Sequence, residues 1–112
     1  MTGGNTGIGY ETTLQLALHH AKVYLAARSE EKARVAIDQI KSIDAIAQVE
    51  FLQLDLGSLE NVGTAVQNFL QREERLDILI CNAGVITKDL EFTCDGLERD
   101  FQVNHLSKNT WR

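Results

Sequence analysis

The sequence predicts an α/β fold in which helices wind over both faces of a parallel sheet. Along the 112 residues, short apolar runs alternate with segments that have the periodicity of amphipathic helices. Strands that alternate with helices in this way indicate βαβ units. The chain has no proline, although ordinary usage would give about five or six. Closely spaced regular elements are therefore expected, and linkers are not.

The first part of the chain predicts two helices that flank one strand. Residues 8–20 carry apolar side chains at helical spacing. The run Val23–Ala27 is apolar throughout, which is typical of a strand buried on both faces. Ser29 fits the N-cap of the next helix, and the apolar stripe of that helix extends to Ile40.

The rest of the chain predicts two further strands and two helices. Val49–Leu54 forms the second predicted strand, and Ser58 is expected to cap a helix whose apolar stripe ends at Leu70. Leu76–Cys81 is the third predicted strand, and a final helix is expected over residues 94–107. The whole of residues 1–112 is expected to belong to one domain.

Composition excludes several classes of function. The 16 acidic and 11 basic residues give a net charge of −5, so no basic surface for nucleic acid is expected. The chain contains no apolar run of the roughly 20 residues that a membrane segment needs. The two cysteines are too few for a disulfide framework. As free thiols they fit a cytoplasmic location.

A glycine-rich turn precedes the first helix and is the strongest functional signal. Such a turn needs backbone conformations and close approaches that a Cβ atom would block. The free N–H groups and the dipole of the helix that follows attract a phosphate group. The residues expected to bind a cofactor in this way are Gly3, Asn5, Thr6, Gly7, Ile8 and Gly9. The alternative is a glycine turn with no ligand.

Arg28 closes the first predicted strand, 19 residues after Gly9. In a dinucleotide-binding fold, an acid near this place binds the ribose 2′-hydroxyl of NAD, whereas an arginine accommodates the 2′-phosphate of NADP. Arg28, assisted by a hydrogen bond from Ser29, therefore favours NADP over NAD. The alternative is a surface arginine that pairs with Glu30 or Glu31.

Three motifs in order resemble those of the short-chain dehydrogenase/reductase family. Thr2–Gly9 matches the T-G-x-x-x-G-I-G turn of that family, Asn82–Gly84 is similar to its N-A-G motif, and Asn104 matches a helix asparagine of its catalytic tetrad. Within the family, Val23–Arg28 and Leu54–Leu56 resemble the retinol dehydrogenase and WW-domain oxidoreductase branch. The resemblance implies a Rossmann-type fold and a nicotinamide dinucleotide as cofactor.

The resemblance also implies roles for further residues. Asp55 and Leu56 would contact the adenine, and Asn82, Ala83 and Gly84 would line the cofactor. Asn104 would hold a water in a proton relay. The alternatives are that Asp55 caps the turn that follows it, and that Asn104 is a structural helix residue with a bonding partner.

The family's catalytic serine, tyrosine and lysine have no counterparts in this sequence. The positions four residues after Tyr10 and Tyr24 are Leu14 and Arg28, so no Tyr-x-x-x-Lys motif exists. Only Met1 and Thr2 precede the glycine turn, where the central first strand of the sheet would lie. We therefore expect a partial Rossmann-type fold that lacks the first strand and the C-terminal half.

Three interpretations follow. The first is the nucleotide-binding half of an NADP-dependent oxidoreductase, which acts on a small carbonyl or alcohol substrate only in a complete parent and is inactive alone. The second is a non-catalytic NAD(P)-binding or interaction module, which could self-associate through open sheet edges. The third is a remnant without function. His19, His20 and His105 show no metal-ligand spacing, so no metal is expected.

Overall fold

A computed structural model describes residues 1–110. Its regular elements follow the alternating order that the sequence predicts as far as α3, after which a further helix comes without a strand between. They are α1 (Gly7–Leu18), β1 (Val23–Ala27), α2 (Glu30–Ile43), β2 (Val49–Gln53), α3 (Leu59–Leu70) and α4, a continuous helix that comprises Arg99–Phe101, a π-helical turn Gln102–Leu106 and Ser107–Asn109.

The strands β1 and β2 pair in parallel, with Val23 opposite Val49 and Ala27 opposite Gln53. The predicted caps are confirmed at both following helices. The Ser29 hydroxyl accepts from the N–H of Lys32 at 3.3 Å, and Ser58 caps α3 in the same way. These caps satisfy backbone donors that have no partner inside a helix.

Helices cover both faces of the sheet. On one face α1 and α2 bury Ala17 and Ile40 against Leu25 of β1. On the other face α3 buries Val62 and Phe69 together with Tyr24. Because side chains alternate across a strand, neighbouring residues of β1 serve the two separate cores. The predicted partial Rossmann-type, doubly wound sheet is therefore confirmed.

The position of the central first strand is partly filled by Met1–Gly3. The Ala26 N–H donates to the Met1 carbonyl at 2.9 Å, and the Gly3 N–H donates to the Ala26 carbonyl at 2.9 Å. On its other side, the Thr2 N–H donates to the Ile80 carbonyl at 3.0 Å. Met1–Gly3 thus lies between β1 and the segment before the N-A-G motif, as the predicted strand order requires.

The prediction of a third strand at Leu76–Cys81 is wrong. This segment does not form a regular strand in the structure. A strand needs a ladder of hydrogen bonds along a neighbour, and the neighbour here is Met1–Gly3. Among residues 1–110, the backbone-to-backbone bond between Met1–Gly3 and this segment runs from the Thr2 N–H to the Ile80 carbonyl alone.

The predicted helix over residues 94–107 begins later, at Arg99, and continues to Asn109. A tight turn precedes it, in which the Thr93 N–H donates to the Leu97 carbonyl at 2.9 Å. Gly96 has a φ of 75°, which is a left-handed conformation that favours glycine. A right-handed helix cannot pass through this residue, so it begins only after the turn. The Glu98 carboxylate then caps the helix by accepting from the N–H of Asp100 at 2.8 Å.

Candidate functional site

A cleft of about 430 Å³ opens where β1 and β2 end at their carboxyl termini. Ligands of open parallel sheets bind in a crevice at this end of the strands. Loops from four parts of the chain form the walls, and they bring together half of the fourteen residues that the sequence singles out. The predicted residues that line the cleft are Gly3, Asn5, Arg28, Asp55, Leu56, Ala83 and Gly84. The predicted residues that do not line the cleft are Thr6, Gly7, Ile8, Gly9, Ser29, Asn82 and Asn104.

The glycine turn has the geometry that its sequence demands. Gly3 has a φ of +65° and Gly7 a φ of +53°, both in the region that residues with a Cβ atom rarely adopt. A Cβ on Gly9 would lie 2.1 Å from the carbonyl oxygen of Gly3. Glycine at these three positions is therefore a steric requirement of the fold.

The N-terminus of α1 presents uncapped backbone donors. Thr6 is the N-cap residue, and its side chain makes no capping hydrogen bond. Ile8, in the first turn, is 80% exposed, so its side chain does not cover the helix end. An uncapped N-terminus with its dipole is a suitable place for a phosphate group.

Asn82 joins the N-A-G segment to the glycine turn. Its side-chain Nδ2 donates to the carbonyl oxygens of Thr2 at 3.1 Å and of Gly3 at 3.2 Å. The Ala83 N–H donates to the Thr2 hydroxyl at 3.0 Å. Thr2 is 1% exposed, and it is a positioning residue that the sequence interpretation did not include.

Arg28 lies at the end of β1 on the rim of the cleft. The alternative pairing with Glu30 is not formed, because Glu30 binds Arg34 one helical turn further on. Within residues 1–110, the Arg28 guanidinium has no acidic partner at ion-pair distance. The Ser29 hydroxyl is engaged as the cap of α2.

Asp55 caps the turn that follows it, which is the predicted alternative to contact with the adenine. Its Oδ1 accepts from the N–H of Gly57 at 2.9 Å, and its own N–H donates to the Asn61 side chain at 2.6 Å. These bonds fix the turn between β2 and α3. Asp55 also lines the cleft, so a structural role and a contact with a ligand are compatible.

Asn104 also has a bonding partner. Its Oδ1 accepts from the Val85 N–H at 2.8 Å, and its Nδ2 donates to the Val85 carbonyl at 2.8 Å. This pair of bonds holds the loop after the N-A-G motif against α4. Asn104 is therefore a structural residue with a bonding partner, which is one of the two predicted roles. Its role in a proton relay stays a prediction.

The sequence interpretation missed the wall that comes from residues 92–103. Thr93, Cys94, Arg99 and Val103 line the cleft there. The residues of this wall match no short motif. Gly96 is a turn signal that could have indicated it, but the sequence interpretation placed Gly96 inside a helix.

A buried amide network holds this wall in place. Gln102 is 0% exposed, and its Nε2 donates to Asp95 at 2.7 Å and to the Leu56 carbonyl at 3.4 Å. The Ser107 hydroxyl donates to the same carbonyl at 2.6 Å. A buried polar network is stable only when its members are satisfied, so these bonds couple the position of α4 to that of Leu56.

The shifted pKa values occur at the opposite end of β1. A hydrogen bond from Lys22 and one from Tyr24 lower the pKa of Glu73, and burial raises the pKa of Tyr24. Both groups lie near the amino end of the strand.

Within residues 1–110, no group of three or more His, Cys, Asp and Glu side chains could hold a metal ion. The helices of this same range are all too short or too polar to cross a membrane.

The glycine turn, the parallel strands and the cleft at their carboxyl ends define a nucleotide-binding fold of the Rossmann type. The family model of the short chain dehydrogenases matches residues 1–109. The chain belongs to this family, as its motifs predict.

Curated relatives agree with the predicted branch. The chain is 45% identical over 107 residues to an uncharacterized oxidoreductase of Schizosaccharomyces pombe and covers 96% of itself and 32% of that protein. It is 41% identical over 106 residues to retinol dehydrogenase 11 of Mus musculus, covering 95% and 34%. It is 42% identical over 106 residues to the WW domain-containing oxidoreductase of Gallus gallus, covering 95% and 26%. The chain thus spans about a third or less of these relatives.

Solved structures show the same fold. A short-chain dehydrogenase from Sphingobium yanoikuyae in complex with NADPH is 27% identical and superposes with a TM-score of 0.79. The match covers 99% of this chain and 43% of that protein.

Proposed function

We propose that the cleft binds NADP and that the chain is the nucleotide-binding half of a short-chain oxidoreductase. The observation that carries the proposal is that two phosphate-compatible groups lie at one cleft. Asn5 of the cleft wall leads directly into the uncapped N-terminus of α1, and Arg28 lies on the rim, where it has no acidic partner within residues 1–110. A diphosphate on the helix end and a 2′-phosphate on Arg28 would satisfy both.

The remaining residues would fix the two ends of the cofactor. Asp55 and Leu56, held by the turn at Gly57 and by Gln102, would contact the adenine. Ala83 and Gly84 offer a wall without bulky side chains, which suits close approach of a ribose or a flat ring. When bound, the nicotinamide supplies hydride transfer, and the chain's own residues bind and orient it.

We further propose that this chain alone does not turn over carbonyl or alcohol substrates. The sequence holds no Tyr-x-x-x-Lys pair to act as acid and base. Both the Oδ1 and the Nδ2 of Asn104 are hydrogen-bonded to the backbone of Val85. Both cysteines are free, and a reducing compartment such as the cytoplasm suits them.

The cofactor proposal is tested by the change Arg28→Asp. We expect the natural chain to bind NADP more tightly than NAD in isothermal titration. The substitution should weaken NADP binding by at least about tenfold, which is the effect of losing one charge-assisted contact, and should leave NAD binding equal or tighter.

The matched control is Arg34→Asp, which removes an exposed arginine already paired with Glu30. It should change the ratio of the two affinities by less than about twofold. An unchanged preference for NADP in the Arg28→Asp protein would contradict the assignment of Arg28.

A non-catalytic nucleotide-binding module is the second candidate. The observation that favours it is that the side-chain amide of Asn104 is fully hydrogen-bonded to Val85. Both candidates predict no turnover when the chain alone is supplied with NADPH and a panel of small aldehydes and ketones, so this assay tests the inactivity that they share. Oxidation of NADPH above the rate without protein would show that the chain is an enzyme by itself. Tight NADP binding without oxidation supports a module or a half that needs the rest of its parent.

A further inference from the structure

The loop that follows β2 is bonded to α4 from outside the cleft. The Leu56 carbonyl accepts from the Ser107 hydroxyl at 2.6 Å and from the Gln102 side chain at 3.4 Å. Both donor residues are 0% exposed. Neither of them lines the cleft, whereas Leu56 and Gly57 do. The two donors therefore act on the loop from behind and cannot touch a ligand in the cleft themselves.

The π-helical turn of α4 explains how both donors reach one carbonyl. The Ser107 N–H donates to the Gln102 carbonyl, which is a bond between residues five positions apart. In an ordinary α-helix, residues with this spacing point about 140° apart around the helix axis. The i→i+5 bond of the π turn instead places Ser107 one turn after Gln102, so that both side chains reach Leu56.

The peptide unit between Leu56 and Gly57 transmits this contact to Asp55. The Leu56 carbonyl and the Gly57 N–H belong to one planar unit, and that N–H donates to Oδ1 of Asp55 at 2.9 Å. A rotation that moved the carbonyl away from α4 would also move the N–H away from Asp55. Within residues 1–110, the Asp55 Oδ2 has no hydrogen-bond partner, and Asp55 lines the cleft. The position of this free oxygen thus depends on the two donors in α4.

The Gln102 amide is itself fixed by further bonds. Its Oε1 accepts from the Thr93 hydroxyl, and its Nε2 donates to the Asp95 carboxylate at 2.7 Å. The same carboxylate accepts from the Leu59 N–H at the start of α3 at 2.9 Å. The amide cannot turn over without losing bonds to buried partners, which is costly. The loop from Leu56 to Leu59 is therefore anchored at both of its ends.

We propose that Gln102 and Ser107 are positioning residues that set the Asp55 carboxylate to select a purine with an amino group at C6. The inference rests on the proposed function, in which Asp55 contacts the adenine of NADP. An ionised carboxylate only accepts hydrogen bonds. Adenine presents a 6-amino donor, whereas hypoxanthine has a carbonyl oxygen at the same place, which a carboxylate repels. Selectivity between the two bases therefore reports the position of Asp55.

The test compares the binding of NADP and of its hypoxanthine analogue, deamino-NADP, to the full chain. We expect the natural chain to bind NADP at least about tenfold more tightly than the analogue, because the analogue loses a charge-assisted hydrogen bond. In Ser107→Ala and in Gln102→Leu, the Leu56 carbonyl loses one of its two donors. The ratio of the two affinities should fall at least about threefold in each variant, through weaker binding of NADP.

Ser42→Ala is the matched control. It removes a serine hydroxyl that donates to a helix carbonyl at 2.6 Å, in α2 and outside the cleft. Its affinity ratio should equal that of the natural chain. Without ligand, the Gly57 amide should exchange hydrogen faster in Ser107→Ala than in Ser42→Ala. Because alanine is a good helix former, Ser107→Ala retains α4 and keeps the test decisive even where Gln102→Leu does not fold.

The outcomes separate this inference from the cofactor proposal. A natural ratio in Ser107→Ala, or equal Gly57 exchange in that variant and in Ser42→Ala, would overturn the positioning role and leave NADP binding intact. Equal affinity of the natural chain for both dinucleotides would do the same. A natural chain that binds neither dinucleotide would contradict the cofactor proposal, and this inference with it.

Discussion

At the scale of single residues, the glycine turn is a tightly packed joint. Gly9 lies against the carbonyl of Gly3, and the Asn82 side chain donates to that carbonyl. The motif of glycines therefore has a steric cause in this chain, independent of any ligand. The same joint places the α1 N-terminus beside the cleft, so the packing and the proposed phosphate binding would depend on the same atoms.

The first prediction concerns this joint. Gly9→Ala would place a Cβ 2.1 Å from the Gly3 oxygen and 2.6 Å from Asn82 Nδ2. Because neither neighbour can move without breaking its own bonds, we expect the free energy of unfolding to fall by at least about 2 kcal/mol. Urea unfolding followed by circular dichroism measures it.

Gly63→Ala in α3 is the control for this change. A Cβ at Gly63 meets nothing within 4 Å, and alanine favours a helix interior over glycine by about 0.5–1 kcal/mol. This variant should therefore be more stable than the natural chain. Equal stability of the Gly9→Ala protein and the natural chain would show that the joint is looser than described.

Several residues that are predicted to act at the cofactor site have structural roles. Ser29 caps α2, Asp55 fixes a turn and Asn104 binds the loop at Val85. Motif matching cannot separate these two kinds of role, because both place the same atoms at the same positions. Only a ligand-dependent measurement distinguishes them.

At the scale of elements, local signals predicted what local interactions determine. The starts of α2 and α3 followed from Ser29 and Ser58, and β1 followed from its apolar run. The failed elements depend on distant partners. Leu76–Cys81 has the composition of a strand, but its ladder requires a long neighbour, and α4 starts at Arg99 because the turn at Gly96 intervenes.

The cleft also combines features that local sequence signals predict with features that depend on distant partners. Its glycine turn and the ends of β1 and β2 could be predicted, since motif and position mark them. The wall at Cys94 and Arg99 could not, because the buried Gln102 network that holds it joins residues 46 positions apart.

An ion cluster links β1 to the end of α3. Lys22 binds Glu73, and the Tyr24 hydroxyl donates to the same carboxylate at 2.7 Å. These bonds lower the pKa of Glu73. A carboxylate whose pKa is lower in the folded chain stabilises the fold above its unfolded pKa, and the contribution disappears as pH falls through the folded pKa.

We therefore predict that Glu73→Gln reduces stability at pH 7 and that this difference from the natural chain shrinks as the pH falls below the ordinary value of 4.5. Urea unfolding of both proteins at pH 7 and at pH 3.5–4.5 measures the difference, where buffers and salt are matched. Glu74→Gln changes the neighbouring carboxylate, which has no ion pair within residues 1–110, and should show a smaller effect at pH 7. A Glu73→Gln difference that is constant with pH would contradict the cluster's contribution.

At the scale of the whole molecule, the chain assembles one side of the cleft that we propose to bind the cofactor. Two cores, one on each face of the sheet, hold β1 and β2 so that their carboxyl ends open into the cleft. The relatives that it matches are about three times as long or longer. The account's central claim is therefore about binding at this cleft, and turnover is a separate question.

The most direct measurement is a map of amide hydrogen exchange with and without saturating NADP. The account predicts slower exchange at the N-terminus of α1, at Asp55–Gly57 and at Ala83–Val85, with Tyr24 and Ile80, which lie outside the cleft, unchanged. NADP that binds without protecting the α1 N-terminus, or that leaves all of these amides unchanged, would contradict the claim that the cleft is a cofactor site.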